Sequence, residues 1–152
     1  MHSLKYAVVF LSLMAGTSIA LEKPVQKVDK YAQRKAFVSE FVGEAKNSVP
    51  FTRSYDFEPL GDDALLLWEA SNRAYLLDVD QFCRNLTWAH AIQIDNKGSS
   101  INAKFDSIKV LSNNNSFNDK CRILEIRPVD VKAMKAAEKA KRELEKAEKL
   151  SK

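Results

Sequence analysis

The two cysteines, Cys83 and Cys121, are the feature of this 152-residue sequence that most constrains its fold. In an oxidising compartment they can form a single intramolecular bridge, which would tie two distant parts of the chain together. Closing that loop would stabilise the folded state by roughly 4 kcal/mol, a large share of the stability of a small domain. The spacing lacks the C-x-x-C pattern of redox sites, so the sequence favours a structural disulfide over a reactive pair.

The first twenty residues indicate the compartment that the chain enters. Lys5 precedes a short apolar run, and the small residues Ser18 and Ala20 follow it as they would at a cleavage site. This pattern is typical of a secretory signal peptide, and the run is shorter than the roughly 20 residues that cross a bilayer. We therefore expect cleavage near Ala20 and a periplasmic or secreted chain with no transmembrane segment.

The remaining sequence predicts one domain, residues 21–130, followed by a charged tail, residues 131–152. Its content of 45% hydrophobic and 29% charged residues is that of a globular protein. The net charge of +4 is concentrated in the tail, where Lys and Arg outnumber Asp and Glu, whereas the domain is close to neutral. The basic composition therefore does not indicate a nucleic-acid-binding face, and we expect no nucleic-acid partner.

The hydrophobic spacing of the domain changes from helical to β-like along the chain. It predicts a helix from about Val25 to Val42, ended by Gly43, and residues 46–51 read as a connector. Six short runs bounded by turn residues follow: residues 54–60, 64–70, 73–79, 91–95, 102–111 and 121–127. The sequence thus predicts an α+β domain with a small antiparallel, curved or barrel-like sheet of about five or six strands, in which 64–70 and 73–79 form a hairpin.

A second helix is predicted after Pro128, with Asp130 as its cap. Its apolar line is narrow and consists mostly of methyl groups: Ala133, Ala137, Ala140, Leu144 and Ala147. Three interpretations remain open, namely a protruding solvated appendage, a partner-binding or oligomerising helix, and a contact with an anionic surface through its lysines. The lack of aromatic residues weakens the last of these.

His90 is a candidate functional residue with two possible settings. If residues 86–94 form one strand, His90 shares a face with Leu86 and Trp88 and is partly buried. If residues 86–90 form a helical turn, Leu86 and Ala89 face inward and His90 faces solvent. In either setting it lacks a partner histidine for metal binding, so a structural interpretation is favoured.

Acidic residues are the candidates for glycan hydrolysis, which needs a pair of carboxylates. Those that could supply it are Asp56, Glu58, Asp62, Asp63, Asp78, Asp80 and Asp106. Most lie at strand ends or turns, where Asp is favoured for backbone reasons. The sequence contains no nucleophile elbow, zinc motif or phosphate-binding loop, so we predict no catalytic, cofactor-binding or metal-ligating residue.

Trp68, Tyr75 and Trp88 are the candidates for an interaction surface on an exposed face of the sheet, although aromatic residues in short strands more often pack in a core. Asn85 and Asn114 match the glycosylation sequon, and we interpret them as loop residues.

An ordered series of motifs carries a resemblance to a known family. The series comprises "FVGEA", "FEPLGDDALLLWEASNRAYLLDV", "CRNLTWAHAIQI", "AKFDSIKV" and "CRILEIRPVD". Over about Phe37 to Val131 the chain resembles domain of unknown function 6491, a family of small exported bacterial proteins. The resemblance implies the disulfide and a compact β-rich domain, and it implies no activity. Some relatives look like lipoproteins, whereas this chain lacks an anchoring cysteine, and we expect the tail to lie outside the shared region.

These features together predict an exported protein that acts as a non-enzymatic binding or accessory module, with an unidentified envelope protein or ligand as its partner. Two alternatives stay open. The first is a cell-envelope hydrolase that uses acidic residues. The second is a protein that binds a partner or oligomerises through the C-terminal helix.

Overall fold

The computed structural model describes residues 29–53, 56–80, 83, 85–111 and 120–151. The predicted signal peptide, the first residues of the predicted N-terminal helix and Asn114 lie outside these ranges. The elements in chain order are α1 (Lys30–Ser39), β1 (Ser48–Pro50), β2 (Asp56–Pro59), β3 (Ala64–Ala70), β4 (Arg73–Val79), a 3₁₀ turn (Leu86–Trp88), β5 (Ala91–Asp95), β6 (Ser100–Asn102), β7 (Ser107–Leu111), β8 (Lys120–Val129) and α2 (Val131–Leu150).

Six of these strands form an antiparallel, nearly closed barrel-like sheet in the order β2-β3-β4-β8-β7-β5. The predicted α+β class and the β3–β4 hairpin are both confirmed. The predicted connector contains β1, which pairs with β6 through Val49 and Ile101 in a separate two-stranded ribbon. The predicted run 102–111 is divided between β6 and β7 by a turn in which Lys104 has a positive φ of 69°.

Strand β3 is apolar on both of its faces because it separates two cores. Leu65 and Leu67 enter the barrel-side cluster, while Ala64 and Leu66 enter the helix-side cluster under α1 and α2. Successive side chains of a strand point to opposite faces, so the run "ALLL" is buried throughout. The sheet therefore has a helix side and a barrel side, and these carry different polar groups.

Helix α1 is shorter than predicted at its C-terminal end. It starts after Asp29, whose side chain accepts a hydrogen bond from the Tyr31 amide, and it ends at Ser39 rather than at Val42. Beyond that end the backbone bonds to the sheet: Val42 forms a bridge with Val129, and the Gly43 amide donates to the Pro128 carbonyl at 2.8 Å. A Cβ at Gly43 would lie 3.3 Å from Pro128 Cγ, so this close approach favours glycine.

Helix α2 begins where the sequence predicted, and the Asp130 side chain accepts from the Ala133 amide at 3.0 Å. Val131 and Met134 are buried in the helix-side cluster, so its first turns pack through these residues rather than through the alanine line. From Lys139 to Ser151 every side chain is exposed. The helix therefore has a packed N-terminal part and a protruding C-terminal part.

Candidate functional site

The predicted disulfide between Cys83 and Cys121 is present, with 5.3 Å between the two Cα atoms. Both cysteines are fully buried in the barrel-side cluster. Cys83 lies beyond the end of β4, and Cys121 lies in β8 opposite Ile108 of β7. The bond therefore fixes the segment that follows β4 against the sheet.

The segment after Cys83 forms the helical-turn alternative rather than a long strand. Leu86 is buried, Ala89 packs against the barrel-side cluster, and His90 is exposed. Asn85 is the residue that precedes the 3₁₀ turn. His90 is thus a solvent-facing residue at the start of β5.

The three aromatic residues predicted as an interaction surface lie in three different settings and do not share a face. Trp68 is half-buried on the helix side, where Lys135 Nζ lies 5.4 Å from its ring centroid. Tyr75 is 7% exposed and belongs to the barrel-side cluster. The register pairs Tyr75 with Leu67 and not with Trp68, which places the two rings on opposite faces. Trp88, on the 3₁₀ turn, is 78% exposed.

Burial raises the pKa of the Tyr75 hydroxyl, and the nearby Glu69 carboxylate raises it further. The hydroxyl lies 3.4 Å from Glu69 Oε2. Both causes disfavour the phenolate, so Tyr75 acts as a neutral core residue with a polar edge.

Three of the candidate acids neutralise cations on the helix side of the sheet. Glu58 binds Arg34 at 2.7 Å, and Asp63 binds Lys35 at 2.8 Å. Asp78 lies between Arg127, at 2.6 Å, and Lys35, at 3.8 Å. We call these contacts, together with the bond from Arg34 to Glu138 in α2, the helix-side ion pairs.

Arg34 joins α1, β2 and α2, because its guanidinium binds Glu58 and Glu138 at the same time. The hydrogen bonds that Arg34 donates to Glu58 raise the pKa of Arg34, burial opposes this increase, and the hydrogen bond that it donates to Glu138 adds to it. The charged groups thus hold the helices on the sheet.

Other candidate acids have backbone or hydroxyl partners. Asp106 is 6% exposed and accepts from the Asn102 amide at 2.6 Å and from the Asn102 side chain at 3.0 Å. Asp62 accepts from Thr87 Oγ1 at 3.2 Å, and Asp56 accepts from the Phe57 amide at 2.8 Å. These bonds are typical of turns and strand ends, where a carboxylate satisfies local donors.

The last candidate acid, Asp80, lines a cleft of about 260 Å³ at the disulfide end of the sheet. We call it the disulfide cleft, and its lining residues are Asp80, Phe105, Ser107, Lys120 and Arg122. Asp80 Oδ1 is buried and accepts no hydrogen bond. Arg127 Nε is also buried without a hydrogen bond, but Glu125 Oε1 lies 3.5 Å away from it. Asp80 Oδ1 therefore lacks the compensation that Arg127 receives.

Strand alternation and one unusual turn build this cleft. Lys120 and Arg122 point outward from β8 because Cys121 and Ile123 point inward. The Asp80 amide donates to the Arg122 carbonyl at 3.0 Å, which fixes Asp80 beside β8. The left-handed turn before β7 leaves the Phe105 ring 86% exposed at the cleft.

The charges of the disulfide cleft are unevenly satisfied. Lys120 binds Asp95 at 2.8 Å, and Lys109 lies 3.7 Å from the same carboxylate. The bond from Lys120, and then the charge of Lys109, hold the pKa of Asp95 below its usual range. Arg122 is exposed and, within the part of the chain that the structure describes, forms no ion pair.

A second, more open cleft of about 360 Å³ lies between the two helices. Its lining residues are Lys30, Gln33, Arg34, Phe37, Glu138, Lys141, Arg142 and Glu145. Its central cation, Arg34, is already bound by two carboxylates, and Arg142 Nε donates to the Glu138 carbonyl at 3.3 Å. This cleft is therefore mostly a junction between helices.

Sequence reasoning included Asp80 among the acids but missed the rest of the disulfide cleft. Lys120 and Arg122 are the sequence neighbours of Cys121. Because successive side chains of a strand point to opposite faces, a buried Cys121 predicts that both cations point away from the core. Phe105 was included as part of a predicted strand and of the motif "AKFDSIKV", with no role assigned to it. No local pattern reports that one oxygen of Asp80 is buried without a donor.

Among the described residues, no group of three or more His, Cys, Asp or Glu side chains is placed to hold a metal ion. None of the helices there has the length and apolar character needed to cross a membrane.

A protein-family model described as "Family of unknown function (DUF6491)" matches residues 1–145. The match includes most of α2, so the prediction that the tail lies outside the shared region is wrong. No curated protein and no solved structure matches the chain.

Proposed function

The chain belongs to the DUF6491 family, and we propose that it is an exported binding module, without catalytic activity, whose ligand site is the disulfide cleft. The observation that carries the proposal is the lining of the cleft, which combines the Asp80 carboxylate, the exposed Phe105 ring and the Arg122 guanidinium, for which the described residues provide no ion-pair partner. A ligand that places an acceptor on Arg122 and an apolar group on Phe105 would satisfy the cation and remove the ring from water.

Export is supported by the first twenty residues and by the disulfide. The sequence begins with the features of a signal peptide, and disulfides persist in oxidising compartments. We propose the periplasm as the site of action. Trp88 is 78% exposed on the turn after Cys83, and we propose it as a contact for an envelope protein.

A mass measurement under native conditions tests the binding function. The mature protein, purified from the periplasm, is expected to carry a bound small molecule that the Asp80→Asn variant does not carry. The matched control is Asp62→Asn, because Asp62 binds Thr87 outside the disulfide cleft. Turnover on a panel of envelope glycans or peptides, abolished by removing one carboxylate, would contradict the proposal and favour the hydrolase.

The C-terminal helix supports a second candidate function, the docking of a partner protein. Leu144 is 68% exposed and Leu150 is 90% exposed on the protruding part of α2. The test is deletion of residues 141–152, because Val131 and Met134 belong to the core and must be kept. If the number of subunits per particle in solution is the same before and after the deletion, the oligomerising form of this candidate is removed.

A further inference from the structure

We infer that the disulfide cleft binds a small dipolar molecule of the α-amino acid class, with its ammonium group at Asp80, its carboxylate at Arg122 and its side chain on Phe105. This inference rests on the proposed binding function and specifies its ligand. It combines the cavity, the carboxylate of Asp80, the unpaired cation and the exposed ring, which line the cleft together at one end of the sheet.

The charges of the cleft favour a ligand that carries both signs. Lys120 is bound by Asp95, which leaves Asp80 and Arg122 as the opposite charges that line the cleft. These two form no ion pair with each other. A ligand with only an anionic group would place no cation beside the Asp80 carboxylate, and a ligand with only a cationic group would leave Arg122 without an acceptor. A zwitterion satisfies both through charge-assisted hydrogen bonds.

The size of the cleft sets a limit on the ligand. Its volume of about 260 Å³ lies below the roughly 300–1,000 Å³ typical of sites for drug-sized molecules. This space suits a ligand with few non-hydrogen atoms rather than an oligosaccharide or a long peptide. Ser107 is buried at the cleft and adds a hydroxyl group to the polar lining.

The aromatic ring at the cleft indicates which side chains are preferred. Phe105 is 86% exposed, although a phenyl ring gains free energy when it is removed from water. The ring borders the same cavity as the two charged groups, so a ligand held by its ammonium and carboxylate groups can cover it with an apolar side chain. We therefore expect aromatic and aliphatic amino acids to bind more tightly than glycine.

The disulfide positions the two charged walls relative to each other. Asp80 precedes Cys83 in the segment after β4, while Lys120 and Arg122 flank Cys121. The Cys83 amide also lies 3.4 Å from the Asp80 carbonyl. Because a dipolar ligand needs both charges at fixed spacing, we expect reduction of the disulfide to weaken binding even where the domain remains folded.

Titration calorimetry on the mature protein tests the ligand class. The probes are the standard α-amino acids, with L-phenylalanine compared directly with 3-phenylpropionate, which lacks the ammonium group, with phenethylamine, which lacks the carboxylate, and with glucose. We expect L-phenylalanine to bind at least about ten-fold more tightly than either one-charge analogue, which corresponds to roughly 1.4 kcal/mol. Glucose is expected not to bind.

Two variants test which residue binds each charged group of the ligand. Asp80→Asn is expected to reduce the preference for L-phenylalanine over 3-phenylpropionate, and Arg122→Gln to reduce its preference over phenethylamine. Asp62→Asn and Lys97→Gln are matched surface controls and should preserve both preferences. Thermal unfolding of each variant separates a lost contact from a lost fold.

Equal binding of L-phenylalanine and its one-charge analogues would overturn the inference, as would the absence of binding for every amino acid at millimolar concentration. Asp80-dependent binding of glucose would also overturn it, yet would preserve the proposed binding function. Zwitterion binding that is unchanged in both Asp80→Asn and Arg122→Gln would place the site elsewhere and overturn the inference together with the assigned cleft.

Discussion

The helix side of the sheet and the disulfide end treat their charged groups in opposite ways. On the helix side, Arg34 binds two carboxylates, and Asp78 lies between two cations. At the disulfide end, Asp80 has a buried oxygen without a donor, and Arg122 has no carboxylate partner in the described part of the chain. The paired charges hold the helices on the sheet, whereas the charges that line the cleft are the groups that we propose for ligand binding.

The two regions are also stabilised by different interactions. The helix side combines an apolar cluster with ion pairs between three elements. The disulfide end uses a covalent bond, and its ion pairs, from Lys120 and Lys109 to Asp95, join exposed side chains. Substitutions of charged residues should therefore affect folding on the helix side and binding at the disulfide end.

Among the changes that compare the two regions, removal of the disulfide should have the largest effect. The Cys83→Ser/Cys121→Ser double variant is expected to lose up to about 4 kcal/mol of unfolding free energy, because the bond closes a loop with a sequence separation of 38. Urea unfolding measures the loss, and the wild-type protein under reducing conditions is the control. An unchanged midpoint would show that the barrel-side core holds this end without the bond.

Arg34→Met tests the helix side and should have the next largest effect. The variant leaves the partly buried Glu58 and Glu138 without their shared cation, and we expect a loss of about 1–2 kcal/mol in urea unfolding, between the values for exposed and buried pairs. Lys139→Met is the control, because Lys139 is mostly exposed and lies 3.9 Å from Glu143. Equal effects of the two variants would contradict a structural role for the helix-side ion pairs.

Asp80→Asn should change stability in the opposite direction. It removes a charge whose oxygen is buried without a donor, so we expect the unfolding free energy to stay constant or to rise by up to about 1 kcal/mol. Glu58→Gln is the matched carboxylate on the helix side, and it should lower the unfolding free energy. If Asp80→Asn destabilised the protein as much as Glu58→Gln does, the contrast between the two regions would not hold.

A smaller effect, confined to alkaline pH, is expected from Tyr75→Phe. The pKa of Tyr75 is raised in the folded protein, so folding favours the neutral hydroxyl. The contribution of Tyr75 to the unfolding free energy is therefore fully present below the ordinary tyrosine pKa of about 10. It is lost as the pH rises through the pKa of Tyr75 in the folded protein. Thermal unfolding between neutral and alkaline pH should show a steeper loss for the wild type than for the variant, and identical profiles would exclude this cause.

Deletion of residues 141–152 should have the smallest effect. These residues are exposed where the structure describes them, so we expect a change within about 0.5 kcal/mol in urea unfolding. Met134→Ala is the contrasting variant in the same helix and should cost about 2–5 kcal/mol, since Met134 is 1% exposed. A large loss on deletion would indicate that the protruding part of α2 contacts the domain.

The strands that the sequence predicted with correct bounds are those whose signal is local. Strands β3, β4 and β5 are runs of apolar residues between turn residues, and their observed ends coincide with the predicted ends. Strand β1 was missed because it is a three-residue strand that ends in Pro50 and is defined by its pairing with β6. The early end of α1 likewise depends on bonds from residues 41–43 to residues 128–130.

The candidate site was predictable only in part. The disulfide follows from the count of cysteines and the expected compartment. The cleft around it forms only when the chain folds, because Asp80, Phe105 and Arg122 lie in three separate segments of the sequence. The burial of Asp80 Oδ1 is a property of the folded chain, and an acidic residue in a turn gives no sign of it.

Strand β8 lies between β4 and β7 although it is the last strand in the sequence, and this order governs when the sheet can assemble. While a ribosome still holds the residues after β7, the two halves of the sheet have no strand to join them, and Cys83 has no partner. Folding then depends on contacts between residues far apart in sequence, which slows it. The sheet, the disulfide and the cleft can therefore form together only after β8 has been released.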